Sequence, residues 1–286
     1  MAKAEYDCGL VLEGGGMRGI FTAGVLDAFM DYGIRFEYVI GTSAGAATGI
    51  NYLSGQRGRS RYTDLDMHVV RPYIGLSQMV RGHGVIDLDF VFGDIPNKYY
   101  PFDFETYRRS GSRMVMVSTS AETGEAVYTE EYEDYGRFVD ACRASCSLPL
   151  VCPMWHIDGH PMVDGGLADS VPFEKALADG CRHVVVVMTK DLTYRKTNKK
   201  IWLPQHVYKE YPKLREALQM RGVNYNRQIE KLGEMEAKGV ATVIRPETLC
   251  GVGRTTKDIE PLEKLYAEGL REGRRYAEKI RNSKNL

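Results

Sequence analysis

The chain has 286 residues, which is enough for one large α/β domain or two small ones. Its 43% hydrophobic and 27% charged residues are ordinary for a globular protein. Lys plus Arg and Asp plus Glu both number 38, so the net charge is zero. That balance gives no reason to expect a nucleic-acid partner, because phosphate-backbone binding needs a basic excess or a basic face.

The N-terminus, Met1-Ala2-Lys3-Ala4-Glu5, shows no apolar leader. No uncharged apolar stretch reaches the ~18–20 residues of a membrane-spanning helix. The expected location is cytoplasmic. Six cysteines (Cys8, Cys142, Cys146, Cys152, Cys181, Cys250) are scattered along the chain and read as reduced thiols. Cys142, Cys146 and Cys152 are close in sequence but lack a CxxC pair and a matching His/Cys pair, so the expectation is structural thiols and no metal.

From the N-terminus, Gly9-Leu10-Val11-Leu12 is a short unbroken apolar run, as in a buried parallel strand. Glu13 and three glycines follow. Ile20, Phe21, Gly24, Val25, Ala28 and Phe29 recur at helical spacing, and Gly33 stops that helix. Tyr38-Val39-Ile40 form a second strand, which enters Gly41-Thr42-Ser43-Ala44-Gly45 and a helix of small residues. Strand–helix–strand–helix predicts a mainly parallel sheet covered on both faces, a three-layer α/β/α sandwich. Residues 55–110 are rich in Arg, Tyr, Gly and Asp with weak periodicity. They predict loops and short helices over the carboxyl edge of the sheet, where a lid would sit.

Met114 to Val117 is a third strand, Glu125 to Thr129 a hairpin arm, and residues 136–147 a helix stopped by Pro149. Val184 to Met188 is the strongest strand in the chain. Beyond residue 190 the composition turns basic and aromatic, and two long amphipathic helices follow at about 212–238 and 260–281. The predicted organisation is a catalytic unit over 1–190 and a helical C-terminal extension over 191–286, packed on the same domain or contributing to it.

Gly41-Thr42-Ser43-Ala44-Gly45 is the sharpest chemical signal. A strand-to-helix turn that projects a serine brings backbone segments together, so the positions two before and two after must be small. The following helix aims its first amides at a developing oxyanion. The bland alternative is an ordinary tight turn. Gly14-Gly15-Gly16-Met17-Arg18-Gly19 has two readings. One is a dinucleotide fingerprint with Glu37 about 20 residues on. The other is an oxyanion loop of glycine amides, favoured because Glu37 precedes the second strand and that strand ends in the serine turn. Arg18 reads equally as an anchor of the loop or as a solvated helix residue.

Ser43 needs a base. The histidines are His68, His83, His156, His160, His183 and His206, and none sits in a small-residue active-site turn. Asp164-Gly165-Gly166 offers a carboxylate beside two glycines, and partial burial can raise an aspartate towards the range of a base. Taken alone, such a tripeptide is usually just a turn.

Together and in this order, the three motifs resemble the patatin-like phospholipase family. That family joins a Gly-Gly-Gly-x-Arg/Lys-Gly loop, a Gly-x-Ser-x-Gly elbow and an Asp-Gly-Gly/Ala turn. A fourth family block matches at Arg143-Ala144-Ser145-Cys146-Ser147-Leu148-Pro149. The resemblance covers roughly residues 8–190. It implies a metal-independent lipid acyl hydrolase without a cofactor, working through a Ser43–Asp164 dyad. Gly14, Gly15, Gly16, Arg18, Gly19 and Ala44 would surround the oxyanion, with Gly41, Gly45, Gly165 and Gly166 supporting the turns. The implied partner is a lipid or other acyl-ester substrate.

Two further expectations concern surroundings and rivals. Tyr194, Arg195, Lys196, Lys199, Lys200, Ile201, Trp202 and Leu203 mix cations with apolar rings. They suit peripheral contact with the inner membrane surface, or simply a solvated loop. The rival functions are a non-catalytic regulator on the same fold and, further off, a dinucleotide-dependent oxidoreductase.

Overall fold

Apolar runs without alternation become strands buried on both faces. The computed structural model describes residues 5–80, 82 and 84–284, so His83 lies outside the described residues. The strands are β1 (Tyr6–Leu12), β2 (Tyr38–Thr42), β3 (Arg113–Ser120), β4 (Ala126–Thr129), β5 (Trp155–Ile157), β6 (His160–Asp164), β7 (Cys181–Val187) and β8 (Ala241–Ile244). They form one sheet in the order β5-β6-β3-β2-β1-β7-β8, with β4 also paired to β3. β3, β2, β1, β7 and β8 run parallel. β4 and β6 are antiparallel to β3, and β5 is antiparallel to β6.

The longer helices are α1 (Gly19–Asp31), α2 (Ala44–Leu53), α3 (Tyr135–Cys146), α4 (Phe173–Ala178), α5 (Pro212–Ala237) and α6 (Ile259–Lys284). Alternate residues of each strand face opposite layers. Leu10, Leu12, Val39 and Met114 pack with Ile20 and Phe21 of α1, Ile50 of α2, Phe138 of α3 and Leu262 of α6. Val11, Ile40, Val115 and Val186 pack with Phe173 of α4 and with Tyr225 and Leu232 of α5. The molecule is therefore a three-layer α/β/α sandwich around a mainly parallel sheet. The described residues between 55 and 110 include short helices and wider π-type turns at Tyr62–Asp66 and Phe90–Tyr99.

The C-terminal region is not wholly helical. β8 pairs with β7 and extends the parallel sheet. Four residues between Gly239-Val240 and Arg245 are too short a run to read as a strand from sequence. α6 lies directly on α1. A side chain at Gly269 would run into the Phe21 carbonyl, and one at Gly24 into the Tyr266 carbonyl, so glycine at each position lets the two backbones touch. Tyr266 Oη seals the contact by donating to the buried Asp27 Oδ2 at 2.7 Å. Gly269→Val should cost at least about 1–3 kcal/mol through overpacking. Urea unfolding should show a lower midpoint, and an unchanged midpoint would mean that this helix contact is not part of the cooperative fold.

Candidate active site

The sheet register brings the two motif residues together. In β3, Val117 is opposite Thr42, and the next residue, Ser118, is opposite Asp164. Ser43 follows Thr42 directly and enters α2 at φ 55° and ψ −125°. A non-glycine residue at positive φ is uncommon and strained, and such residues persist where their surroundings over-determine them. Here a Cβ at Gly41 would lie 2.6 Å from Ala46 N, and one at Gly45 would strike the Leu12 carbonyl. The Ser43 amide donates to Ser145 Oγ at 2.9 Å, and Ser145 Oγ donates to the Val117 carbonyl at 2.6 Å. Ser145 of α3 thus brackets the serine turn to β3. Ala44 lies in the first turn of α2, where amides have no acceptor within the helix.

Asp164 is 3% exposed. Its Oδ1 accepts from the Gly166 amide at 2.7 Å, while its buried Oδ2 has no hydrogen-bond partner. Gly165 is required because a Cβ would collide with the Val117 carbonyl. Burial raises the Asp164 carboxyl above the usual range. The nearby Ser43 hydroxyl, the Gly166 amide, Arg221 and Arg254 oppose that rise. The Ser43 hydroxyl is thus close enough to Asp164 to interact with its carboxyl.

The glycine loop is held from behind. Gly14 O accepts from Thr189 Oγ1 at 3.1 Å and Lys190 Nζ at 3.2 Å. Gly15 O accepts from Arg18 Nε at 3.4 Å. Across a trans peptide the N–H points opposite to the C=O. Fixing these two carbonyls therefore turns the amides of Gly15 and Gly16 the other way. Gly14, Gly15 and Gly16 line one cavity with Ser43 and Asp164. A Cβ on Gly19 would lie 2.7 Å from Ala44 Cβ, so the loop and the serine turn are in contact. Arg18 is buried and donates to the Gly15 carbonyl, so it is not a solvated helix residue.

A family model of patatin-like phospholipases matches residues 10–177. The chain belongs to the patatin-like phospholipase family. A second match, to a domain of unknown function (DUF6363), spans residues 211–285. Among relatives, the chain is 32% identical over 187 residues to the uncharacterized protein YjjU of Escherichia coli, covering 63% of this chain and 51% of that one. It is 28% identical over 192 residues to lysophospholipase NTE1 of Cryptococcus neoformans, covering 63% of this chain and 11% of that one. The chain thus spans about half the length of the first relative and a small part of the second. The crystal structure of VipD from Legionella pneumophila superposes with a TM-score of 0.51 at 14% identity, covering 98% of this chain and 67% of that one, a likeness of fold.

Two cavities meet at Ser43 in this patatin-like protein. The first, about 100 Å³, is walled by apolar groups including Met17, Ile74, Leu88, Val91, Phe92 and Leu148, most of them from the 55–110 segment. Asp64, whose carboxyl burial pushes up to about 7, also borders it. Cys146, whose thiol burial raises well above the ordinary value, also borders it. The second cavity, about 20 Å³, is polar and holds Asp164, Arg18, Lys190, Lys196, Arg221 and Arg254.

No described histidine lines either cavity. His68 stacks edge-on against Tyr73, His183 sits between the Gly239 carbonyl and the Thr242 hydroxyl, and His160 pairs with Glu122. His156 and His206 are exposed. Of the basic aromatic segment, Trp202 is 84% exposed. Lys196 instead turns inward over the Tyr225 ring, and Tyr194 packs edge-on against the same ring.

Sequence reading misses the group beneath the loop. Glu13 is fully buried and forms an ion pair with Lys190. It also accepts from Thr189 N at 2.6 Å, Thr189 Oγ1 at 2.9 Å and Tyr225 Oη at 3.0 Å. The charge of Lys190 and these donors hold the Glu13 carboxyl below its ordinary value despite burial. The available signal was that Thr189-Lys190 follows the strongest strand, at the edge where α/β sheets build sites. Lys190→Met leaves a buried carboxylate unpaired and should cost about 3–5 kcal/mol. Denaturant unfolding should show most of that loss recovered in a Glu13→Leu/Lys190→Met double variant. A single variant as stable as the parent would show that the pair carries no such weight.

Proposed function

We propose that the protein is a serine lipid acyl hydrolase that cleaves fatty acyl esters through Ser43 and Asp164. The observation that carries this reading is the shared cavity. A serine held at positive φ, a buried carboxylate oxygen without a partner and a glycine loop with its carbonyls tied back all border one space. The apolar cavity on the other side of Ser43 suits an acyl chain. Family membership and a relative named as a lysophospholipase agree with this class of substrate.

In the proposed reaction, Ser43 Oγ attacks the ester carbonyl while its proton passes to Asp164. The carbonyl oxygen becomes an oxyanion facing the amides of Gly15, Gly16 and Ala44. The ester C–O bond then breaks, the leaving alkoxide takes the proton from Asp164, and the acyl group remains on Ser43. Water attacks that acyl-enzyme and gives a proton to Asp164. The bond to Oγ breaks, releasing the fatty acid, and Ser43 recovers its hydrogen.

Ser43→Ala should lower turnover of a soluble acyl ester by about 10³-fold or more while leaving the melting temperature unchanged. A fluorophosphonate probe should label the parent at Ser43. Undiminished turnover in the folded variant would defeat the reading, and a folded parent that resists the probe would favour a non-catalytic regulator.

The pH profile tests the base. Asp164 must be ionised to take a proton, and its carboxyl is raised by burial against the pull of Arg221 and Arg254, with the Cys146 and Cys152 thiols also close enough to interact. Activity should therefore fall as pH drops through a value above the ~3.9 of an ordinary aspartate. Asp164→Asn should cost about 10²–10⁴-fold in kcat. An acid limb at the ordinary value, or an active Asn variant, would remove Asp164 from the mechanism.

A further inference from the structure

The apolar cavity at Ser43 has a direction and an end. Ala44, Ala47, Thr48 and Asn51 all border it. These positions recur at helical spacing on one face of α2, whose N-cap is Ser43. At about 1.5 Å of rise per residue, Asn51 lies about 10 Å along the helix from Ala44. The cavity therefore runs down α2, away from the nucleophile. A single water needs about 10–15 Å³ of such space. The cavity's volume of about 100 Å³ thus has room for a chain of several carbons.

A second cavity, of about 50 Å³, adjoins the first. Both are bordered by Ala47, Asn51, Thr63, Val91 and Phe92, so these five residues form the wall between them. The rest of the second cavity is largely aromatic. Phe102, Tyr135 and Phe138 border it, with Phe102 and Phe138 stacked at 5.3 Å. The proposed chemistry makes no use of this space.

The wall is held by the segment over residues 59–63. Asn51 Nδ2 donates to Ser60 Oγ at 2.9 Å, and Asn51 Oδ1 accepts from Arg59 Nε at 3.1 Å. Thr63 Oγ1 donates to the Arg59 carbonyl at 3.1 Å. Arg59 is itself buried, donates to the Tyr100 carbonyl and lies over the Phe102 ring. Ser60 and Asp64 also border the first cavity, beside Asn51 and Thr63, so the end away from Ser43 is polar. Hydrocarbon pressed against these groups would keep water from polar atoms without giving them partners. Phe92 differs from the other four wall residues. It is the largest, its side chain is wholly hydrocarbon, and it is buried.

We propose that this wall sets the length of the acyl chain, so that medium-chain esters such as octanoyl and decanoyl are preferred over palmitoyl, and that Phe92 is the side chain that keeps the chain out of the second cavity. This rests on the hydrolase reading of Ser43 and names the acyl class it takes. Thr63, Val91 and Phe92 come from the 55–110 segment, which thereby gains a role in choosing substrate.

The test measures kcat/KM for para-nitrophenyl butyrate, octanoate, decanoate and palmitate, all in mixed micelles of one fixed detergent composition. It is run on the parent, on Phe92→Ala and on Ala47→Leu, with melting temperatures to check folding. The parent should peak at octanoate or decanoate. Phe92→Ala joins the two cavities and should raise palmitate relative to decanoate about tenfold or more, the worth of burying about two further methylene groups. Ala47→Leu narrows the first cavity and should move the peak towards butyrate. In parallel, Ser43→Ala is titrated calorimetrically with octanoate, decanoate and palmitate as free fatty acids. Decanoate should bind more tightly than palmitate, and adding Phe92→Ala should reverse that order.

A parent that turns over palmitate as well as decanoate would overturn the length limit and leave the hydrolase standing. So would an unchanged chain-length profile in folded Phe92→Ala and Ala47→Leu. If both variants fail to fold, palmitate binding Ser43→Ala as tightly as decanoate would overturn it on its own. Tighter binding of decanoate without turnover of any ester would keep the wall and defeat the hydrolase.

Discussion

The arrangement depends on one buried carboxylate. Glu13 follows the first strand where the chain has to leave the sheet, and donors from three directions converge on it. Two belong to Thr189, one to Lys190 and one to Tyr225. A buried ion pair is weak evidence for stability, since desolvation consumes much of its Coulombic gain. Its use here is positional. Thr189 and Lys190 each reach the Gly14 carbonyl as well, so the groups that satisfy Glu13 also set the plane of the Gly14–Gly15 peptide. Tyr225 ties α5 to the same point. The glycine loop, the end of β7 and the C-terminal region are therefore one hydrogen-bonded unit.

Backbone approach is the second constraint, and it explains why several motifs are glycine-rich for different reasons. Gly41 and Gly45 are small because the serine turn folds back on the first strand and on α2. Gly165 is small because the chain after β6 passes a β3 carbonyl. Gly24 and Gly269 are small because two helices touch, far from any chemistry. The first three can be recognised as a pattern. The last two look in sequence like poor helix formers, and only the packing shows what they do.

Legibility followed locality. The serine turn, the Asp-Gly-Gly turn and the glycine loop are short contiguous signals whose geometry is dictated within a few residues, and Val184 to Val187 is a strand on composition alone. Hydrophobic spacing also located α1, α3, α5 and α6 to within a few residues. The relations between distant residues were not legible. Lys196 reads as a surface cation because its neighbours Lys199 and Lys200 are charged, yet Asn226 turns its backbone inward. Arg221 reads as the polar face of an amphipathic helix. β8 is too short to announce itself and takes its identity from Val184 to Val187 alongside it. Glu13 reads as the prelude to a loop, because its partners lie more than 170 residues away.

The electrostatics of the polar cavity follow from placing one acid among several cations at low exposure. Burial drives the Asp164 carboxyl up. Nearby cations drive it down. Arg221 and Arg254 act against burial, so the carboxylate remains raised but less than its surroundings would otherwise make it.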